Sequence, residues 1–91
     1  MDFKYVSVQD RESIVKYLTA LRDGFADGRF TLTTDNKTHV LEPRGLLEFE
    51  VKTKRKDDEH RLSLKIGWRV NGKQKQPKND EFHILSDPLN Q

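Results

Sequence analysis

Three histidines and a short acidic run are the residues of this chain whose types could bind a metal ion or transfer a proton. No two histidines share a helical metal-binding spacing such as H-E-x-x-H. The run Asp57-Asp58-Glu59-His60 contains possible ligands, but consecutive residues of a turn face different ways and rarely converge on one ion. We therefore expect a charged turn here and no metal site. The histidines are His39, His60 and His83.

Other catalytic chemistry has little support in the sequence. It contains no glycine-rich phosphate loop and no nucleophile elbow. It also contains no cysteine, which excludes disulfides, thiol catalysis and cysteine-ligated metal sites and favours the cytoplasm. We expect no enzyme activity, no catalytic residue and no bound cofactor.

Length and composition indicate one small domain. The chain has 91 residues, of which 35% are charged and 33% hydrophobic, with a net charge of +2. Its mean hydropathy is −0.90. No stretch approaches the roughly 18 consecutive apolar residues that span a membrane, and the first residues do not resemble a secretory signal. We expect neither membrane insertion nor secretion.

An amphipathic helix is the first element that the sequence predicts. Two N-caps compete, Ser7 and Asp10, and the acidic residue in the first turn favours Asp10. The helix is expected to end at Ala26 or Asp27, because Gly28 can take the left-handed conformation that follows many helices. The apolar stripe, spaced by four, three and four residues, is Ile14, Leu18, Leu21 and Phe25.

A change to alternating residues after the helix predicts two hairpins. The first turns at Asp35-Asn36, which pairs Phe30 with Leu41 and Leu32 with His39. The second turns at Asp57-Asp58, which places Glu50 opposite Lys65. The apolar pairs predicted in the second hairpin are Leu47 with Trp68, Phe49 with Ile66, and Val51 with Leu64, and its alternation continues to Val70.

The predicted fold is α+β, with the N-terminal helix packed on one face of a four-stranded antiparallel meander. Residues 10–70 form the domain. Residues 1–9 are a lead-in that either stays irregular or forms a short edge strand. Residues 71–91 are a polar linker followed by a tail with a small apolar cluster.

The order of these elements resembles a known family. The matching features are the helix end Asp27-Gly28-Arg29-Phe30, the step Leu41-Glu42-Pro43, and the alternating strands that end in Ile66-Gly67-Trp68. Together they resemble the amphi-Trp domain, a small bacterial and archaeal family named for an amphipathic strand with a tryptophan. The resemblance covers about residues 11–70 and implies the α+β fold. It implies no activity, cofactor or site residue.

Apolar residues at the end of the last predicted strand and in the C-terminal tail are the first candidate contacts. Trp68 is in phase with the inward face, so it is either a core or core-rim residue or an anchor for a partner. The apolar cluster near the C-terminus either docks on the domain or binds a partner. We therefore expect a non-enzymatic interaction module that binds a protein partner or itself. The candidate contacts are Trp68, Phe82, Ile84 and Leu85.

Basic residues on and near the outer sheet face support an alternative, which is weak, salt-sensitive binding of nucleic acid. Against it, acidic residues lie within the same face, and the sheet aromatics are phased inward instead of displayed for base stacking. The candidate nucleic-acid contacts are Lys52, Lys54, Arg55, Lys65 and Arg69.

Overall fold

The structure is a computed structural model that describes residues 2–70 and 81–87. It contains one helix followed by four strands, which confirms the predicted α+β class and the order of elements. The elements are α1 (Arg11–Asp27), β1 (Phe30–Thr33), β2 (Thr38–Leu41), β3 (Glu48–Lys56) and β4 (Glu59–Gly67).

Both ends of helix α1 are capped as the sequence predicts. The carboxylate of Asp10 accepts a hydrogen bond of 2.9 Å from the backbone N–H of Ser13, so Asp10 is the N-cap and Ser7 is not. At the other end Gly28 has a φ of 84°, and the backbone N–H groups of Gly28 and Arg29 both donate to the carbonyl of Gly24. These contacts satisfy backbone groups that the helix leaves unpaired at its ends.

Both hairpins have the predicted registers. In the first, Phe30 pairs with Leu41 and Leu32 with His39. In the second, nine residue pairs join β3 to β4, among them Phe49 with Ile66, Val51 with Leu64, and Glu50 with Lys65. The apolar side chains of the second hairpin therefore share one face and most of its charges the other.

The two hairpins form separate two-stranded sheets instead of the predicted four-stranded meander. Residues 42–47 lie between β2 and β3 without strand structure. Pro43 has no backbone N–H to donate to a ladder, and Gly45 turns the chain with a φ of 72°. Alternation specifies which face of a strand is apolar, but it does not specify which strand lies beside it.

The packing of helix α1 also differs from the prediction. The helix contacts β1 and leaves the second hairpin uncovered within the described residues. The contact is centred on Gly24, which is buried, and on the rings of Phe25 and Phe30, whose centroids are 5.2 Å apart. Over residues 2–70 and 81–87 no apolar side chain is fully buried. The expected helix-on-sheet core is therefore not formed among the residues that the structure describes.

The lead-in and the end of β4 can also be compared with the prediction. Residues 2–10 contain no strand, so the edge-strand alternative for the lead-in is wrong. Phe3 holds this segment against β2, with its ring centroid 5.1 Å from that of His39. The fourth strand ends at Gly67, short of the predicted Val70, because its ladder with β3 begins at the pair of Glu48 with Gly67. The predicted pair of Leu47 with Trp68 is therefore not formed.

Candidate functional site

One side of the second hairpin, which we call the apolar hairpin face, carries several exposed apolar side chains. Its side chains alternate out of β3 and β4, so the register alone brings them together. Leu62 is 64% exposed, Leu64 50% and Phe49 48%. Soluble monomers rarely leave so continuous an apolar surface uncovered. The apolar hairpin face comprises Phe49, Val51, Leu62, Leu64 and Ile66.

One residue of the C-terminal cluster contacts this face. The ring of Phe82 lies against that of Phe49, with centroids 6.0 Å apart and planes inclined by 55°. Phe82 nevertheless stays 56% exposed, and Ile84 and Leu85 are more exposed still. Of the three tail residues proposed as partner contacts, the structure thus brings Phe82 to the apolar hairpin face and leaves Ile84 and Leu85 on the surface.

Trp68 lies just past the end of β4 and is half-buried. Its indole meets Phe25 edge to face, with centroids 6.3 Å apart and an interplanar angle of 84°, a favoured aromatic geometry. A shallow cleft of about 410 Å³ runs along Trp68 between the end of β2 and Val70. Trp68 thus connects the C-terminal end of helix α1 to the second hairpin, a position at the rim of the packed region.

The opposite side of the second hairpin, which we call the basic hairpin face, carries alternating charged residues. Lys54 lies directly opposite Arg61, and Lys65 lies opposite Glu50. A salt bridge of 2.7 Å joins Arg61 to Glu59 on the same strand. The cations of this face are Lys52, Lys54, Lys56, Arg61 and Lys65.

Two of the predicted nucleic-acid contacts lie away from the basic hairpin face. Arg55 pairs with His60 and alternates onto the same side as the apolar residues. Arg69 follows the end of β4 and is exposed. Lys52, Lys54 and Lys65 are therefore the three of the five candidates that the fold brings to one surface.

A groove beside helix α1 is not indicated by any pattern in the sequence. This groove, about 760 Å³ in volume, is formed where the lead-in passes over the helix and β1. Phe3, Tyr5 and Tyr17 supply aromatic walls, and Asp35 also lines it. The groove depends on the path of the irregular lead-in, which no periodicity encodes.

The histidines do not assemble into a site. His39 faces Phe3, His60 lies near the second turn, and His83 is 3.9 Å from Glu81. Within residues 2–70 and 81–87 no three histidine or carboxylate side chains are placed to hold a metal ion. The pKa of Asp10 is lowered by the hydrogen bond from the Ser13 backbone and further by the Ser13 side chain.

These features agree with a comparison to known protein families. The model of the Amphi-Trp domain matches residues 1–85. The chain belongs to the Amphi-Trp domain family. No curated protein and no solved structure matches it.

The family match extends beyond the part of the chain that the sequence resemblance covers. It starts ahead of helix α1 and continues past Val70 to residue 85. The lead-in, with Phe3, and the contact between Phe82 and Phe49 therefore both fall inside the Amphi-Trp match. None of the described helices is both long and apolar enough to cross a membrane.

Proposed function

We propose that this Amphi-Trp domain is a non-enzymatic interaction module of the cytoplasm, which binds a protein partner or a second copy of itself through the apolar hairpin face. The observation that carries the proposal is the exposure of Phe49, Leu62 and Leu64 together on one surface. A surface of this kind marks protein interaction sites on soluble domains.

Energetics favour an occupied face. A two-stranded hairpin is at best marginally stable in water and needs its apolar side covered. Complete burial of a leucine side chain contributes about 1.5–3 kcal/mol, so covering the exposed halves of Leu62 and Leu64 contributes on the order of 2 kcal/mol together. The aromatic ring of Phe49 adds to this gain, since aromatic residues are enriched at protein interfaces.

A photo-crosslinking side chain placed in the full-length protein tests the proposal in the native cells. Substituted at Leu64, it should give discrete crosslinked products, because that side chain belongs to the binding surface. The matched control is Ser63, the neighbouring residue on the opposite side of β4, where the same probe should give none. Products at neither position, or equal products at both, would contradict the proposal.

The second candidate function is nucleic-acid binding through the basic hairpin face. The observation in its favour is the direct opposition of Lys54 and Arg61, because like charges across a ladder destabilise a hairpin and would be relieved by a phosphate between them. The salt bridge between Arg61 and Glu59 opposes it, as does the position of the aromatic ring of Phe49, which lies on the other side of the hairpin against Phe82.

Fluorescence anisotropy with single-stranded and duplex oligonucleotides separates this candidate from the first. If three to five cations contact duplex phosphates, affinity should fall roughly 40- to 500-fold between 50 and 200 mM salt. Lys54→Glu should abolish the binding. Arg55→Glu, with the same charge change on the other side of β3, should leave most of it. The absence of binding at 50 mM salt would eliminate this candidate.

A further inference from the structure

The chain exposes much more surface than a folded monomer of its size. Its accessible area is 9369 Å². A compact monomer of 10.7 kDa exposes about 5,500 Å². If the 15 residues outside the described ranges are assigned the full area of an extended chain, an excess of about 2,000 Å² remains. A standard interface buries about 800 Å² on each partner, so the excess is large enough for a stable dimer.

A second apolar surface without a partner lies on the N-terminal half of helix α1. The contacts described above between the first hairpin and helix α1 centre on Gly24 and Phe25, in the C-terminal half of the helix. Further toward the N-terminus Val15 is 60% exposed and Leu18 48% exposed. Ile14 lies between them and the groove beside the lead-in, and it is also exposed. We call Ile14, Val15 and Leu18 the free helix face.

The free helix face and the apolar hairpin face are each the apolar side of an amphipathic element. From Ile14 to Leu18 the free helix face is about 6 Å long, at 1.5 Å per residue. From Leu62 to Ile66 the hairpin face is about 14 Å long, at about 3.4 Å per residue, so it has room for the helix face. An amphipathic helix on one face of an antiparallel sheet is the standard two-layer solution for surfaces of this kind.

We propose that the apolar hairpin face is occupied by helix α1 of a second copy of this chain, in a two-fold dimer in which each helix covers the other chain's hairpin. This inference rests on the proposed function and specifies its partner. Each chain supplies one face of each kind, so a two-fold axis covers both at once and leaves neither open.

The connection between the hairpins supports exchange between chains. Residues 42–47 separate the part that contains α1 from the part that contains the apolar hairpin face, and Pro43 and Gly45 set the direction of the chain there. When a helix packs on the hairpin of a second copy instead of on its own, the arrangement is a domain swap. Short connections that hold the two elements apart favour domain swapping.

Sedimentation equilibrium of the full chain between about 1 and 200 µM tests the dimer over the affinity range of weak to standard interfaces. The wild-type protein should have twice the chain mass of 10.7 kDa. Leu18→Glu and Leu64→Glu should each raise the dissociation constant at least tenfold. The matched controls Thr19→Glu and Ser63→Glu, on the adjacent outward positions, should remain dimeric. A wild-type monomer throughout this range overturns the inference, as does a dimer that Leu18→Glu leaves intact.

Chemical crosslinking provides a readout that does not depend on how the charged variants fold. Because the chain contains no cysteine, Leu18→Cys and Leu64→Cys introduce the only thiols. When the two single variants are mixed with a bismaleimide, the mixed dimer should exceed either homodimer. A chain carrying both substitutions should crosslink to a second chain. Crosslinking within one chain at monomer mass would overturn the exchange.

The two hypotheses can fail separately. A monomeric protein whose Leu64 probe crosslinks to a different protein overturns the dimer and leaves the interaction module standing. A protein that crosslinks Leu18 to Leu64 within one chain, and whose Leu64 photo-probe gives no product, overturns both.

Discussion

For Gly24→Ala, the structure and the helix propensity predict opposite changes in the free energy of unfolding. In an exposed helix this change stabilises by about 1 kcal/mol, because alanine is the better helix former. Here Gly24 is buried, and an added Cβ would lie 2.5 Å from Cβ and 2.9 Å from Cγ of Phe30. Real Cβ atoms do not approach so closely, so something must move.

The size of the destabilisation depends on which atoms must move to make room for the added Cβ. The Cβ of Phe30 is attached directly to the backbone of β1, so a rotamer change of Phe30 cannot relieve the contact, and helix and strand must separate. Overpacking of this kind costs about 1–3 kcal/mol, and we place this case in the upper half of that range. After the gain in propensity is subtracted, Gly24→Ala should lower the free energy of unfolding by about 1–2 kcal/mol.

Urea denaturation followed by circular dichroism measures this difference, at one protein concentration for all variants so that association does not change the result. The control is Gly67→Ala in β4, where no described atom lies within 4 Å of the added Cβ. That change should be neutral or stabilise by up to about 1 kcal/mol. If Gly24→Ala raises the unfolding midpoint as much as Gly67→Ala does, helix α1 does not pack on Phe30 and the described contact is wrong.

The same structure predicts the effects of three other substitutions. Trp68→Ala should lower the free energy of unfolding by about 1–2 kcal/mol in urea denaturation, less than the 3–5 kcal/mol of a fully buried aromatic, because the half-buried ring packs on Phe25 alone among the described aromatics. Gly28→Ala should cost about 1 kcal/mol in the same assay, because its φ of 84° is unfavourable for alanine. Because the pKa of Asp10 is lowered in the folded protein, the stability that its carboxylate gives the helix is fully present above the usual pKa of 3.8. That stability is lost as the pH falls through the lower pKa of the folded state. Asp10→Asn should remove that acid-dependent loss of ellipticity.

Local features of the fold could be predicted from the sequence because short-range physics determines them. The cap at Asp10 needs a side-chain oxygen three residues ahead of a free N–H, and the C-cap needs a glycine at position 28. The register of the second hairpin is equally well specified, since a shift of one residue would place Phe49 opposite a lysine. Each of these predictions involves neighbours in sequence or across one turn.

The arrangement of elements could not be predicted in the same way. The close approach of Gly24 to Phe30 was not evident, because a glycine near a helix end has an ordinary explanation in the cap that follows. The end of β4 ahead of Trp68 depends on where the partner strand begins, and that depends on the turn at Gly45. The placement of Phe82 on Phe49 joins residues far apart in the chain, with no pattern to link them.

The separation of the helix from the second hairpin shows what an amphipathic pattern can specify. Alternation in β3 and β4 requires that Leu62 and Leu64 be covered, because their burial is what makes a two-stranded hairpin stable. The pattern does not state which chain provides the cover, since the same contact has the same energy within one molecule or across a two-fold axis. An intramolecular contact avoids the entropy cost of association, so exchange is favoured only where the connection prevents closure. Pro43 and Gly45 occupy that connection here, and in the proposed dimer the folding of the second hairpin would be coupled to association.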